Sequence, residues 1–363
     1  FISHYDFLVL QVRIEKISKI YCTFKIFKLL FINYKGNIMT AYLLSLLEII
    51  KPKVVLTNID NSFKFSEIAK ILEEKITFVA IQNAARHNIP QFKHMFKKNI
   101  TKSDLTKNFY IPNFLCFGQF EIDHYKKNEV KVKNFFKIGS LRLANFLHYI
   151  KKKRIKLKKF QHDICLISEP HEGRDADLGE KNIEQGSADS VKFTIKFCIK
   201  HNMKLVFTAK RVENTEANKK EHNFYKKYLT ENEYNYLIAN SVAKNTESYS
   251  SYMAMAQSRV TTGKCSTLLR ENLSIGGKIL ACNLTPTNIY DFPIEGICSI
   301  KNCDFQEFEE RLLKIYSMSE EDYFSKLNKD KSYVAAYDEK DSTIDIIKRK
   351  IDYFLAGKHH SKN

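Results

Sequence analysis

The feature that most constrains this chain is a repeated local grammar: a short apolar run, then a small or polar residue, then apolar residues at helical spacing. Such a series builds βα units and parallel sheets, so the expected class is α/β. In the first half the apolar runs cover residues 54–59, 77–82 and 114–118, and in the second half 164–168, 205–208, 259–263 and 279–283. Between them, residues 65–74, 190–201 and 266–275 show the helical period, and 342–355 closes the chain with an amphipathic pattern. A chain of 363 residues, 44% hydrophobic and 28% charged, has the material for two cores rather than one. The natural boundary is the segment 151–159, seven of whose nine residues are Lys or Arg. This places one Rossmann-like domain at 1–155, a second at 160–340, and a final helix and tail at 341–363.

An excess of Lys and Arg (59) over Asp and Glu (41) gives a net charge of +18 and points to polyanions: phosphorylated small molecules, nucleic acid or an anionic membrane face. The basic residues are dispersed outside 151–159 and no nucleic-acid-binding module is present, which argues against nucleic acid. The basic segment reads as a solvated linker or as a patch that holds the protein near an anionic membrane. Its eight cysteines form no CxxC pair, as expected for buried thiols in a reducing compartment rather than a disulfide or zinc framework. Lys25 and Lys28 interrupt the greasiest stretch, so no uncharged run reaches the roughly 18 residues that span a bilayer. With Phe1 at its start and no cleavage-site pattern, the chain is expected in the cytoplasm, with part of its beginning missing and with peripheral contact at the membrane's inner face open to it. Residues 1–51 are expected to form a first strand and helix, with a peripheral membrane helix over 14–31 as the alternative.

Walker, GxGxxG, HExxH and GxSxG motifs are absent. In open parallel sheets, ligands bind beyond the carboxyl ends of strands, so the residues there are the candidates. On the first rim, Asp60 or His87 could take a proton from an acceptor hydroxyl, with Asn83, Arg86 and, more weakly, Glu121 nearby. The plain alternatives are Asp60 as a turn or cap residue and His87 as a loop histidine. On the second rim stand Glu169 and the cations Lys210 and Arg211, which suit a diphosphate. The stretch TTGKCSTLLRE turns through Gly263 into a helix whose first turn carries Ser266 and Thr267, a phosphate-binding geometry, and Glu271 lies one turn further on. Asp175 and Asp177 have DxD spacing but sit in an acidic, loop-like segment expected over 173–189.

The run STLLRENLSIGGKILACN, followed by IYDFPIEG and then by Phe305, Glu307, Phe308, Arg311 and Leu312, resembles the carboxy-terminal domain of bacterial surface-carbohydrate biosynthesis proteins. Those are predicted transferases of GT-B glycosyltransferase architecture. LTNIDNSFKF, FVAIQNAARHN and KIGSLRLANF upstream match the same order of motifs, so the resemblance covers about residues 50–355. It implies two Rossmann-like domains facing across a cleft and a glycosyltransferase that uses a nucleotide sugar as substrate. It further implies no cofactor or obligatory metal, and a surface polysaccharide or lipid-linked glycan as acceptor. By that likeness Glu169, Lys210, Arg211, Gly263, Ser266, Thr267 and Glu271 would lie on the donor side, and Asp60, Asn83, Arg86 and His87 on the acceptor side. Ala84 stands where the pattern has Gly, which puts the following turn in question. The same paired-domain plan also serves nucleotide-sugar 2-epimerases and polyol-phosphate transferases, and a non-catalytic nucleotide- or carbohydrate-binding protein is a further alternative.

Overall fold

A computed structural model describes residues 6–9, 12–13, 16–17, 20–86, 109–158, 160–173, 175, 181–245 and 247–357. Near the start, the two-residue strands β1 (Val12–Arg13) and β2 (Lys16–Ile17) pair antiparallel. Helices α1 (Phe24–Asn33) and α2 (Ile38–Ile50) follow. A single helix over 14–31 is therefore not formed: Lys16 and Ile17 are extended, and the Thr23 side chain caps α1 by accepting from the Ile26 N–H.

The first sheet has four parallel strands in the order β3 (Val54–Thr57), β4 (Thr77–Ile81), β5 (Tyr110–Cys116) and β6 (Lys131–Lys137). Between them lie α3 (Phe63–Leu72) and α4 (Gln119–Lys127), and α5 (Leu141–Lys152) follows β6. The period-2 alternation of side chains sorts the central strands onto two buried faces. Phe78, Ala80, Phe114 and Cys116 pack with α2 and α3, whereas Val79, Ile81 and Leu115 pack on the opposite face against Ile347, Ile351 and Phe354. Those last three belong to the terminal helix α13 (Thr343–Leu355), so the chain ends on the sheet with which it began.

The second sheet has six parallel strands: β7 (His162–Ile167), β8 (Leu205–Thr208), β9 (Ser241–Val242), β10 (Ser258–Gly263), β11 (Ile279–Asn283) and β12 (Ser299–Lys301). Their spatial order is β9-β8-β7-β10-β11-β12, all neighbours parallel. This is the doubly wound order 3-2-1-4-5-6, whose switch point falls between β7 and β10. The helices that cover it include α6 (Ile183–Lys200), α7 (Glu216–Tyr228), α8 (Glu231–Ala239), α9 (Ser250–Ala256), α10 (Thr267–Ser274), α11 (Phe305–Ser317) and α12 (Glu320–Ser325).

The loop expected over 173–189 is shorter than its composition suggests, because α6 begins at Ile183. Asp175 helps to start it by accepting the N–H groups of Asn182 (3.0 Å) and Glu184 (2.9 Å). That role accounts for the first aspartate of the DxD spacing; Asp177 lies outside the described residues. Six of the eight cysteines are buried and none of the eight, all of them described residues, forms a disulfide, as their apolar settings lead one to expect. Among the described residues, no helix is long and apolar enough to cross a membrane.

Candidate active site between the two sheets

A cavity of about 590 Å³ opens at the switch point of the second sheet. From the second domain it is lined by Ser168 and Glu169 after β7, Lys210 after β8, Lys244 after β9, Tyr252 on α9, and Ser266, Thr267 and Glu271 at the β10–α10 turn. The first domain supplies Ala84 and Ala85 after β4, with Arg142 and Asn145 from α5. Ligand-sized space thus lies between the strand ends of two parallel sheets, where such folds place their chemistry.

Its electrostatics favour an anion. Lys244 is half-buried, and its ammonium is pulled below the usual lysine range first by burial and then by the charges of Arg142, Arg211 and Lys210. Like charges gathered around one half-buried amine are relieved by a bound polyanion. Arg142 and Lys244 escaped the sequence reading. Arg142 is the second residue of α5, within the KIGSLRLANF motif, and its position two residues after the helix cap Ser140 was the available clue. Lys244 follows a strand of only two residues, too short to register as an apolar run.

Both strand-end turns of the second domain are already held by carboxylates. Glu169 accepts the backbone N–H groups of Lys264 (2.5 Å) and Cys265 (3.0 Å), and Glu221 on α7 accepts those of Lys210 and Arg211 at 2.8 Å each. A Cβ on Gly263 would stand 3.1 Å from Glu169 Oε2, so glycine there lets the carboxylate approach the turn. These contacts take two amides just ahead of the helix start, those of Lys264 and Cys265, out of the open nest expected there. Glu169 and Gly263 build the turn itself, and Arg142, Lys210 and Lys244 bring cationic side chains to the cavity. Lys210 lines the cavity; Arg211 is exposed beside it and acts on Lys244 through its charge.

Helix α10 spends its first turns on the other domain. Thr267 Oγ1 accepts from the Ala85 N–H at 2.8 Å. Arg270 is buried, donating to Glu121 at 2.8 Å and to the Arg86 carbonyl at 2.7 Å. Glu271 accepts from the Ser140 hydroxyl and, at 2.9 Å, from Tyr252. Burial pushes the Glu271 carboxyl up to about 7, against the downward pull of those hydroxyls and of Arg142. It is therefore a carboxyl at the cavity wall that changes charge near neutral pH. Ser140 reaches it because Gly139 takes φ +78°; a Cβ at Gly139 would also meet the Ala336 carbonyl at 2.1 Å as the chain returns toward α13.

Of the acceptor-side candidates, Asp60 and Arg86 are not on an open rim. Asp60 is fully buried and paired with Arg86, whose Nε donates to Asp60 Oδ2 at 2.9 Å and whose Nη2 donates to Oδ1. Burial opposes the Arg86 charge, but the Asp60 carboxylate more than offsets it and raises the guanidinium above its ordinary value. Among the described residues Asp60 is bonded to Arg86 and Asn83, which ties it to the loop after β4. Asn83 joins that loop network, its N–H donating to Asp60 at 3.4 Å. Ala84 is not among the residues with positive φ, so the turn does not need a glycine's left-handed backbone there. Glu121 is buried between Gln82 and Arg270 and is not among the residues lining this cavity. His87 lies outside the described residues.

No family model matches the sequence, and no curated protein sequence matches it. Solved structures do. The UDP-GlcNAc 2-epimerase from Neisseria meningitidis bound to UDP-GlcNAc aligns with a TM-score of 0.51 at 14% identity, over 89% of this chain and 83% of that one. The Methanocaldococcus jannaschii UDP-GlcNAc 2-epimerase in complex with UDP-GlcNAc and UDP aligns at 0.52 and 12% identity, over 88% and 82%. UDP-N-acetylglucosamine 2-epimerase from Rickettsia bellii gives 0.50 and 14%, over 88% and 78%. At such identities the likeness is one of fold. With two parallel sheets and a cavity at the carboxyl ends of their strands, the chain has the GT-B architecture.

Proposed function

We propose that this chain is an enzyme that binds a nucleotide-activated sugar in the interdomain cavity and transfers the sugar to a surface polysaccharide or a lipid-linked glycan precursor. The observation that carries the reading is the convergence of Arg142, Lys210 and Lys244 with the carboxyl of Glu271 in one cavity at the switch point. The three cations receive the phosphates, and Glu271 takes a donor hydroxyl. In the transfer, the acceptor oxygen attacks the anomeric carbon, the bond from that carbon to the phosphate oxygen breaks, and the nucleotide leaves with the electron pair. The cations stabilise the negative charge growing on the departing phosphate. The acceptor's proton goes to a general base, for which His87 is proposed now that Asp60 is committed to Arg86.

The test is to incubate the protein with a panel of nucleotide sugars, with and without membrane-extracted lipid-linked glycans. Transfer predicts nucleotide release that requires the acceptor and is reduced at least about a hundredfold by His87→Ala, the lower end of the usual range for a general base. A second reading, a nucleotide-sugar 2-epimerase, is favoured by the UDP-GlcNAc 2-epimerases among the structural neighbours. It predicts conversion of the sugar with no acceptor present, a result that would replace the transfer reading.

A further inference from the structure

Helix α1 has two apolar faces and covers only one. Ile26 is buried, Leu30 packs against the first-domain core, and Asn33 donates to Ser45 and Glu48 of α2, which fixes that side inward. On the opposite side, Phe24, Phe27 and Phe31 follow one another at helical spacing with 86%, 54% and 67% of their surface exposed. Lys25, Lys28 and Ile32 stand exposed beside them. An open groove of about 710 Å³ on this part of the molecule is lined by Leu30, Phe31, Tyr34, Ile38 and Met39. From Lys16 to Leu47 the sequence holds five lysines and no Asp or Glu.

We infer that this outward face of α1 docks on an anionic membrane surface, the phenyl rings entering the headgroup–acyl boundary and the lysines meeting lipid phosphates. An exposed aromatic stripe flanked by lysines has the chemistry of an interfacial helix. Its charge selects the occupant: a second copy of this chain would bring the same lysines and a net charge of +18, whereas an anionic bilayer complements them. The inference stands on α1 alone and does not depend on the reaction assigned to the cavity.

The test is flotation of the full chain with vesicles of phosphatidylcholine, and with the same vesicles containing one third phosphatidylglycerol. The wild type should rise with the anionic vesicles only, and less so at high salt. Each lysine near such a surface strengthens partitioning roughly fivefold, so Lys25→Glu with Lys28→Glu should weaken it by about twenty-fivefold or more. Phe24→Ser, Phe27→Ser and Phe31→Ser together should lower it more than about tenfold. Because these positions are exposed, the variants should keep the wild-type melting temperature and nucleotide binding. Wild type that stays down with anionic vesicles, that floats equally on both compositions, or that is matched by the phenylalanine variant would overturn the inference. So would a concentration-dependent dimer that the phenylalanine variant dissolves without any flotation, which would assign the face to a second copy.

Discussion

At the scale of single residues, the second domain lines the cavity with side chains where carboxylates have taken the amides of two strand-end turns. Glu169 and Glu221 occupy the backbone N–H groups after β10 and β8, a use of carboxylates with no sequence signature: one glutamate follows a strand and the other lies within a helix. The stretch from Ser266 to Glu271 was legible as a site because a strand, a glycine and a helix cap follow in order. The partners that give those residues their roles, Ser140 and Arg86, are far away in sequence. Glu271 carries a sharp prediction. Its carboxyl rises on folding from an ordinary 4.5 to about 7, so the native state holds the proton more tightly than the unfolded chain does. Its contribution is then neutral to stability below about pH 4.5, falls as pH rises through the window up to about 7, and above it is an ionisation penalty of at most about 3 kcal/mol. Denaturant titrations at successive pH values should show that loss in the wild type and a flatter profile in Glu271→Gln. Parallel profiles would mean that the carboxyl titrates normally.

At the scale of elements, the strands at sheet centres were legible because both of their faces are buried. Phe78 and Ala80 turn one way while Val79 and Ile81 turn the other, which makes a continuous apolar run. Of the four edge strands of the two large sheets, β3 was legible as an apolar run and β6, β9 and β12 were not. In β6, KVKNFFK alternates exposed lysines with half-buried residues, and β9 and β12 have two and three residues. Helix α10 is the element that joins chemistry to architecture, since three of its residues, Thr267, Arg270 and Glu271, bond to the first domain. The central bond is the ion pair of Arg270 with Glu121, both almost wholly withdrawn from water. Burial lifts the Glu121 carboxyl and depresses the Arg270 guanidinium, and each charge restrains the other. Arg270→Met should therefore cost about 3–5 kcal/mol of stability by stranding Glu121, and adding Glu121→Gln should recover most of it. Equilibrium unfolding of the three proteins checks this; an Arg270→Met variant as stable as wild type would show that the pair does not fasten the domains.

At the scale of the whole molecule, two parallel sheets, a cavity at the second sheet's switch point and a terminal helix returned to the first sheet form one frame. The sequence resemblance implied this paired plan, and the structural likeness shows it as fold. Within the frame, the cavity gathers positive charge from both domains, Arg142 from the first and Lys210 and Lys244 from the second. These cations are proposed to hold the phosphates of a nucleotide. Calorimetric titration of wild type, Arg142→Ala and Lys244→Ala with CMP, CDP, UDP, GDP and dTDP tests it most directly. One nucleotide should bind the wild type with one-to-one stoichiometry, and each substitution should weaken it about ten- to a hundredfold, as expected for losing one charge-assisted contact. Absence of binding by any nucleotide to the folded protein, or binding that both substitutions leave unchanged, would contradict the claim.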